Sequence, residues 1–306
     1  MRGNKMEKEK ITVHKAITYF INEIICAGLA KSTAEAYNTD LQQFKEYLKG
    51  KHIKYINKVE VNHISKFREL LLKDKKLKRT TIERKISSLS AFFHLLEDHG
   101  YIQKNKNPIR KLIRKKMKKD DKAPFFLEKE EIEAIIEGAG KSRNGTRDIA
   151  MFTLMAYSGA RRSDVLALDW HHINFKDREI RMYRTKNQTE SIIPMRDNVF
   201  DTFVDLYEEI RPNINDPVFS SELGNRLSNG AFNQAFRNAV LRSGVKKSFK
   251  ITSHIFRHSF CTELVKNGVS IAQIAKFTGH TDLGSLKTYT HVSTQDQRDI
   301  IDKLYA

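Results

Sequence analysis

Apolar residues recur at helical spacing through the first part of the chain. Between residues 12 and 27 they fall every three or four positions, and Gly28 interrupts the pattern. This period is typical of one buried face of a helix, and glycine is a common stop signal. A second apolar stretch follows Ser32 and Thr33, which are candidate N-caps, and it ends at Gly50. Two helices are therefore predicted here.

Two more amphipathic stretches, around residues 62–72 and 80–100, complete this pattern. Four helices of such lengths can enclose a small core, so residues 12 to about 105 are predicted to form an all-α domain. Aromatic residues at helical spacing are predicted to lie in its core, namely Tyr37, Phe44, Phe92 and Phe93.

A basic stretch follows this domain. Residues 104–122 hold ten Lys or Arg and two Asp, with Pro108 near the start and Pro124 just beyond. A run of like charges flanked by prolines is typical of a solvated linker. The predicted organisation is an N-terminal domain over 1–109, a linker over 110–124 and a C-terminal domain over 125–306.

The second half of the chain mixes two patterns. Three short apolar runs, at 172–175, 179–183 and 191–194, have the character of strands and predict a small antiparallel sheet. Helical patterns occupy most of the remainder, at 128–137, 147–156, 199–211, 229–243, 253–267, 271–277 and 296–304. The second domain is therefore predicted to be mostly α with a small sheet.

Composition indicates a globular protein. Hydrophobic residues make up 40% of the chain and charged residues 30%, a balance that disordered chains lack. The N-terminus is charged, unlike a signal peptide, and no apolar run approaches the ~20 residues of a membrane span. Two cysteines, Cys26 and Cys261, give no disulfide framework. We therefore expect a cytoplasmic protein without membrane contact.

The net charge of +18 changes this picture. Self-repulsion at that level disfavours a compact state unless a polyanion is the partner. Nucleic acid is the favoured candidate, because every phosphate that Lys or Arg neutralises releases counterions. A basic linker also suits a chain that wraps DNA from both sides. The plain alternative is a soluble basic protein.

Four short stretches of the second domain carry residues suited to phosphoryl transfer: SGARRSD at 158–164, TKN at 185–187, HIFRH at 254–258, and TGH at 278–280 with Tyr289 nine residues on. Guanidinium groups match phosphate oxygens and stay charged. A tyrosine hydroxyl is a competent nucleophile, and Lys or His can protonate a leaving sugar oxygen. Because arginines can supply the charge that a metal would bring, no metal and no cofactor is expected.

In order and spacing, these stretches resemble the signature of the tyrosine recombinase (phage integrase) family, with its Xer-like two-domain members. The resemblance spans residues 127–306, while residues 32–37 and the Asn107-Pro108 pair are similar to the family's core-binding domain. It implies a mainly α fold, with an N-terminal four-helix SAM-like core-binding domain. The C-terminal catalytic domain is then mostly α, with a small three-stranded antiparallel sheet.

The resemblance also implies catalytic roles. Tyr289 would form a 3′-phosphotyrosyl link, while Arg161 and Arg257 would clamp the scissile phosphate. Lys186 would donate a proton to the leaving 5′ oxygen, and His280 would hydrogen-bond the phosphate. Since the covalent link conserves the energy of the broken bond, a free 5′-hydroxyl can reverse the attack without ATP.

Two further positions have softer assignments. His254 would assist as a base and phosphate ligand, and Asp164 would orient Arg161 or His254, although Glu is the usual residue of the family there. Arg162 stands where the family often has an apolar residue, so the choice between Arg161 and Arg162 is open to ambiguity. The G-x-R spacing favours Arg161.

A structural zinc site is the competing interpretation of one helix. His254, His258 and Cys261 stand at i, i+4 and i+7 and could share a face as zinc ligands. No fourth ligand stands nearby in sequence, and Arg257 beside the trio would repel a cation. We therefore predict no metal, with His258 packed inside and the His171-His172 pair on a turn surface.

Basic residues on helices and in the linker are candidates for contacts with DNA. Helix faces in the major groove would read bases, while most contacts would only position the protein. The candidates are Lys78, Arg79, Arg84, Lys85, Arg114 and Lys115.

The expected activity is site-specific recombination of double-stranded DNA by a homotetramer that joins two duplexes. An amphipathic tail over 293–306 would dock on a neighbouring protomer. A type IB topoisomerase shares this chemistry, and a non-catalytic basic DNA-binding regulator shares the charge. Strand exchange between two sites and a covalent protein–DNA adduct distinguish the three.

Overall fold

The computed structural model describes residues 10–112, 125–184 and 189–279. The chain divides into two compact units, Met1–Lys118 and Lys119–Ala306. Within the described ranges, none of the helices combines the length and apolar character needed to cross a membrane. The predicted tail helix at 296–304 lies outside these ranges.

The first unit is helical, as predicted. Its described residues form the helices α1 (Val13–Cys26), α2 (Lys31–Lys49), α3 (Val61–Lys73) and α4 (Arg79–Asp98). Thr12 caps α1, since its hydroxyl accepts the backbone N–H of Lys15. Gly28 follows α1 with a φ of +79°, the left-handed conformation that glycine adopts without strain. The four-helix prediction is confirmed.

The start of α2 differs from the prediction. The helix begins at Lys31, and its N-cap residue is Ala30, which has no capping side chain. The carbonyl of Ala30 already accepts the N–H groups of Thr33 and Ala34. Ser32 and Thr33 therefore lie inside the first turn, where their backbones are helical and cannot serve as caps.

Aromatic side chains fill the core of the first unit. Phe20, Phe44, Phe92 and Phe93 are buried almost completely. Phe20 meets Phe92 edge to face with ring centroids 5.5 Å apart, an arrangement that adds to the gain from burial. Tyr37 is only half-buried and packs against the edge of this core. The helical spacing therefore identified the core, with Tyr37 at its margin.

A buried asparagine ties the end of the first unit to α4. The amide of Asn107 donates to the carbonyl of Phe93 and to the Glu97 carboxylate, and its oxygen accepts the backbone N–H of Ile109. Arg110 forks onto the same carboxylate. The hydrogen bond from Arg110, followed by that from Asn107, lowers the pKa of Glu97 to about 2 against the cost of burial. This segment is therefore fixed to the helix.

The second unit is built around one buried helix. Its described helices are α5 (Lys129–Gly140), α6 (Gly145–Ser158), α7 (Arg162–Leu166), α8 (Asp197–Ile210), α9 (Asn229–Ser243), α10 (His254–Lys266) and α11 (Ile271–Thr278). Nine of the fourteen residues of α6 are buried and none is exposed, because α5, α8 and α10 all pack against it. Gly138 lets α5 approach α9 closely, since a Cβ there would stand 2.5 Å from the carbonyl of Ala239.

The small antiparallel sheet is confirmed. Its strands are β1 (Ile173–Asn174), β2 (Glu179–Arg184) and β3 (Thr189–Pro194), in that spatial order. Ile180 pairs with Ile193 in register, and both point into the core with Met182. Tyr183 and Ile192 of the same strands are exposed, because successive residues of a strand point to opposite faces.

Candidate active site

A tight turn after α6 presents the first candidate arginine. Gly159 ends the helix in the left-handed region with a φ of +62°, and Ser158 accepts the N–H of Ala160 through its hydroxyl. A Cβ at Gly159 would stand 2.6 Å from the ring of Phe260. The turn thus needs glycine, and it delivers Arg161 in extended backbone as the N-cap residue of α7.

The guanidinium of Arg161 is largely buried. Its side chain is 17% exposed, and Nη2 donates to the carbonyl of Gly279 at 2.7 Å. Nη1 lies 3.8 Å from Oδ2 of the buried Asp164. Counting only residues that the structure describes, this Nη1 has no hydrogen-bond partner. A buried donor without a hydrogen-bond partner is costly, and the attraction to the Asp164 carboxylate offsets part of that cost.

Arg257 reaches the same corner from α10. This residue is 7% exposed; Nη1 donates to the carbonyl of Gly159 at 2.7 Å, and Nη2 donates to the carbonyl of Thr278 at 2.9 Å. Arg161 and Arg257 therefore meet at the consecutive carbonyls of Thr278 and Gly279, where α11 ends. Both guanidinium groups keep their positive charge and are largely shielded from water. Together they favour an oxyanion that accepts hydrogen bonds from both arginines.

The structure separates the two adjacent arginines. Nη1 of Arg162 donates to Oδ1 of Asn233 at 2.8 Å, and the guanidinium lies 5.7 Å from the ring centroid of Phe232 on α9. Arg161 therefore donates to Gly279, whereas Arg162 contacts the helix α9 instead. The geometry therefore supports Arg161 as the phosphate ligand, in agreement with the spacing.

His254 begins α10 beside these arginines. Its side chain keeps solvent contact, yet desolvation by the surrounding protein lowers its pKa, and the charges of Arg162, Arg257 and Arg161 lower it further. The ring is therefore neutral at neutral pH and can accept a proton.

The structure does not support the zinc interpretation. His258 is exposed, so the prediction that it packs inside was wrong. Cys261 is fully buried in a separate apolar cluster with Ile274 and Ala275. Because the thiol and the imidazoles of His254 and His258 have opposite environments, the trio does not form a ligand set in the described part of the chain.

In the described ranges, the possible metal ligands of Asp169, His171 and His172 do lie within 4.8 Å of one another. The carboxylate of Asp169 already binds Arg226 at 2.6 Å. Nδ1 of His172 accepts the backbone N–H of Asp169. The contact of His172 caps a turn, and the Arg226 guanidinium would compete with a metal ion for the Asp169 carboxylate. Both contacts support the interpretation of His171 and His172 as residues on the surface of a turn.

Three of the predicted catalytic residues, Lys186, His280 and Tyr289, lie outside the described residues. Lys186 falls between β2 and β3, whose flanking residues Arg184 and Thr189 are paired in register. The described part of the predicted site therefore comprises the two arginines, Asp164 and His254.

The DNA-contact candidates of the first unit have different environments. Lys78 and Arg79 are exposed at the start of α4. Lys85 is buried and its Nζ lies 2.7 Å from the Asp40 carboxylate, so its assignment as an exposed DNA contact is corrected. Arg84 is half-exposed and forks onto Asp40 as well. Arg114 and Lys115 lie outside the described residues.

The sequence contains a signal for Asp40, which was not among the predicted residues. Asp40 stands between Tyr37 and Phe44 on the apolar face of α2, three and four residues from them. A carboxylate on a core-facing stripe requires a buried partner. Its partner could have been sought among the cations of the other helices, but the sequence alone did not identify Lys85.

Comparisons with known proteins cover nearly the whole chain. Residues 125–296 match the phage integrase family, and residues 17–100 match the N-terminal SAM-like domain of phage integrases. A tyrosine recombinase from Thermosipho africanus (strain TCF52B) is 29% identical over 283 residues, which cover 90% of this chain and 94% of that protein.

Tyrosine recombinase XerD from Staphylococcus aureus is 27% identical over 282 residues, covering 91% of this chain and 94% of that one. A crystal structure of a lambda integrase tetramer bound to a Holliday junction matches with a TM-score of 0.71 and 18% identity, over 90% of this chain and 76% of that one. At such identity the structural match establishes the shared fold.

Proposed function

The chain belongs to the phage integrase family, and from this membership we propose that Tyr289 is the nucleophile of a site-specific tyrosine recombinase. The enzyme breaks and rejoins DNA strands through a 3′-phosphotyrosyl intermediate. The tyrosine oxygen attacks phosphorus, the bond from phosphorus to the 5′ oxygen breaks, and that oxygen leaves as a hydroxyl. The reverse attack by a 5′-hydroxyl releases the tyrosine and reseals a strand.

The convergence of Arg161 and Arg257 is the observation that carries this proposal. Their guanidinium groups come from different elements, the turn before α7 and the helix α10, and reach adjacent carbonyls at 2.7 and 2.9 Å. Donors fixed before the substrate arrives stabilise the charge that develops on phosphate oxygens during attack. We assign both arginines to the non-bridging oxygens of the scissile phosphate.

The roles proposed for Asp164 and His254 are supported by their positions beside the arginines, whereas those of Lys186 and His280 rest on the resemblance to the family signature. Asp164 lies 3.8 Å from Nη1 of Arg161 and orients that side chain. His254, kept neutral by its surroundings, accepts a proton near the phosphate. Lys186 is assigned the proton that the leaving 5′ oxygen requires, and His280 a hydrogen bond to the phosphate.

We propose double-stranded DNA with specific recombination sites as the partner. The matched lambda integrase is a tetramer on a Holliday junction, and a homotetramer on two duplexes is proposed for this chain too. The net charge of +18 suits such a partner. Because the substrate is DNA, the proposed location is the cytoplasm.

Covalent trapping tests the proposal. A nicked suicide duplex loses a short 5′-hydroxyl fragment after cleavage, so the tyrosyl link accumulates. We expect an adduct with the parent protein in the presence of EDTA, and none with Tyr289→Phe. Tyr207→Phe is the matched control, because it removes an exposed hydroxyl of the same unit and should leave the adduct unchanged.

The outcome also distinguishes the competing functions. DNA binding without any adduct would indicate a regulator and refute the proposal. An adduct accompanied by relaxation of supercoils but no exchange between two sites would indicate a topoisomerase. Exchange of strands between two marked duplexes is the result that we expect.

A further inference from the structure

A buried carboxylate in the first unit holds two cations and a hydroxyl. Asp40 on α2 is 2% exposed. On α4, Arg84 forks onto both of its oxygens, Lys85 donates to Oδ1 at 2.7 Å, and Ser88 donates to Oδ2 at 2.7 Å. Burial alone would raise the pKa of Asp40, but these hydrogen bonds outweigh it and the pKa is lowered. The carboxylate is therefore charged.

The two cations of this cluster differ in exposure. The side chain of Lys85 is 7% exposed, whereas that of Arg84 is 52% exposed. Lys85 neutralises the carboxylate from inside, which leaves one positive charge in excess, carried by Arg84. The fork uses one N–H of each Nη, so the other edge of the guanidinium keeps donors for a ligand.

The surrounding surface is strongly basic. Residues 73–85 contain seven Lys or Arg and two acidic residues. One of the acidic residues, Glu83, is occupied by Arg68 at 2.8 Å. Lys78 and Arg79 are exposed one to two turns before Arg84. An anion that meets this surface would find flexible lysines together with one arginine that is already oriented.

We propose that Asp40 is a positioning residue for DNA binding, which holds the Arg84 guanidinium as a rigid ligand for a backbone phosphate. This inference rests on the proposed function. A side chain that is ordered before binding loses less conformational entropy when it meets its ligand, and a guanidinium fork is suited to phosphate. Lys85 serves Asp40 and makes no contact with DNA.

Binding to a short labelled duplex of random sequence tests this proposal, because phosphate contacts dominate such binding. Arg84→Gln should weaken binding about tenfold, as expected for a charged hydrogen bond. It should also lower the slope of log K against log salt by about 0.9, the contribution of one phosphate. Lys85→Met should leave both quantities unchanged.

The role of Asp40 requires a background that folds, since Asp40→Asn alone would leave Lys85 buried without a partner. Asp40→Asn with Lys85→Met removes both buried charges together, and circular dichroism checks its fold. The cost of Arg84→Gln is then measured in Lys85→Met and in this double variant. We expect about tenfold in the first background and less than threefold in the second, where Arg84 is no longer held.

Equal costs in both backgrounds would overturn the positioning role of Asp40. The absence of any cost in either would overturn the phosphate contact of Arg84. Both results presuppose that the parent binds duplex DNA and forms the covalent adduct, so a parent without the adduct would refute the proposed function instead. The two proposals therefore fail in different experiments.

Discussion

At the scale of single residues, Arg161 and Arg162 offer a natural comparison. They are adjacent, but only Arg161 shares a corner with Arg257. Arg161→Ala should lower the rate of covalent cleavage by about 10²–10³-fold, the usual loss for one transition-state donor. Arg162→Ala should lower it by less than about tenfold. Single-turnover cleavage of the suicide duplex measures both, and a larger loss for Arg162→Ala would contradict the assignment.

The protonation of His254 predicts a dependence on pH. Because desolvation and neighbouring arginines lower its pKa below the ordinary 6.5, the neutral ring is still the majority form at pH 6.5. Cleavage should therefore keep more than half of its rate there and fall below half only at lower pH. The unfolded chain binds this proton more readily, so the folded state also loses stability only as pH falls below 6.5.

Cleavage rates between about pH 5 and 8 locate the midpoint. In His254→Gln the decline assigned to this ring should be absent, at a lower overall rate. A midpoint above pH 6.5 in the parent would show that His254 is not the titrating group.

The sequence indicated candidate site residues better than it indicated whether each side chain is buried or exposed. The signature identified Arg161 and Arg257 because motif spacing is a property of the chain. Lys85 was wrongly taken as exposed, since its burial depends on Asp40 forty-five positions earlier. His258 was wrongly placed inside, because its helix has little difference between its faces and both polar and apolar residues occur around it.

At the scale of elements, the turn between α6 and α7 sets the position of Arg161. Gly159→Ala should lower the free energy of unfolding by more than about 1–2 kcal/mol, the cost of a left-handed backbone with a Cβ, because the ring of Phe260 must also move. The cleavage rate should fall as Arg161 shifts. Urea unfolding and single-turnover cleavage measure the two effects.

Gly244 supplies the control for this turn. It has a φ of +71°, and a Cβ there would meet nothing within 4 Å. Gly244→Ala should therefore show only the backbone cost, with cleavage retained. Equal stability losses in the two variants would contradict the packing argument.

The longer elements could be predicted because their periods repeat many times. The four helices of the first unit and the three strands follow the predicted positions closely. The helix α7 has five residues and is not among the predicted helices, since so short a segment shows no period. The start of α2 was missed because hydroxyl residues suggested a cap that the chain geometry does not use.

At the scale of the whole molecule, the positive charge is distributed unevenly. The helix α8 carries exposed carboxylates at Asp201, Asp205, Glu208 and Glu209, whereas residues 73–85 are strongly basic. Binding to DNA should therefore depend on particular surfaces and weaken steeply with salt.

Assembly is predicted to depend on the C-terminal tail. As a helix, the sequence of 293–306 would be amphipathic and would bring Ile300, Ile301 and Leu304 to one side. Truncation after Thr294 should abolish cooperative assembly on two-site DNA, because the apolar anchor for a neighbour is lost, while single-site binding persists. Native gel shifts with one-site and two-site duplexes measure this, and unchanged synapsis would refute the role of the tail.

The acceptors at the arginine corner are main-chain oxygens, supplied by Gly159, Thr278 and Gly279. A carbonyl is present whichever side chain its residue bears, so these contacts with the arginines do not depend on the side chain at position 278. The feature that must be preserved at this corner is the path of the backbone, which places the carbonyl oxygens. The side chain of Thr278 is nevertheless fully buried and its hydroxyl donates to the carbonyl of Ile274, so a substitution there should be tolerated only where it keeps that packing and the path of the backbone.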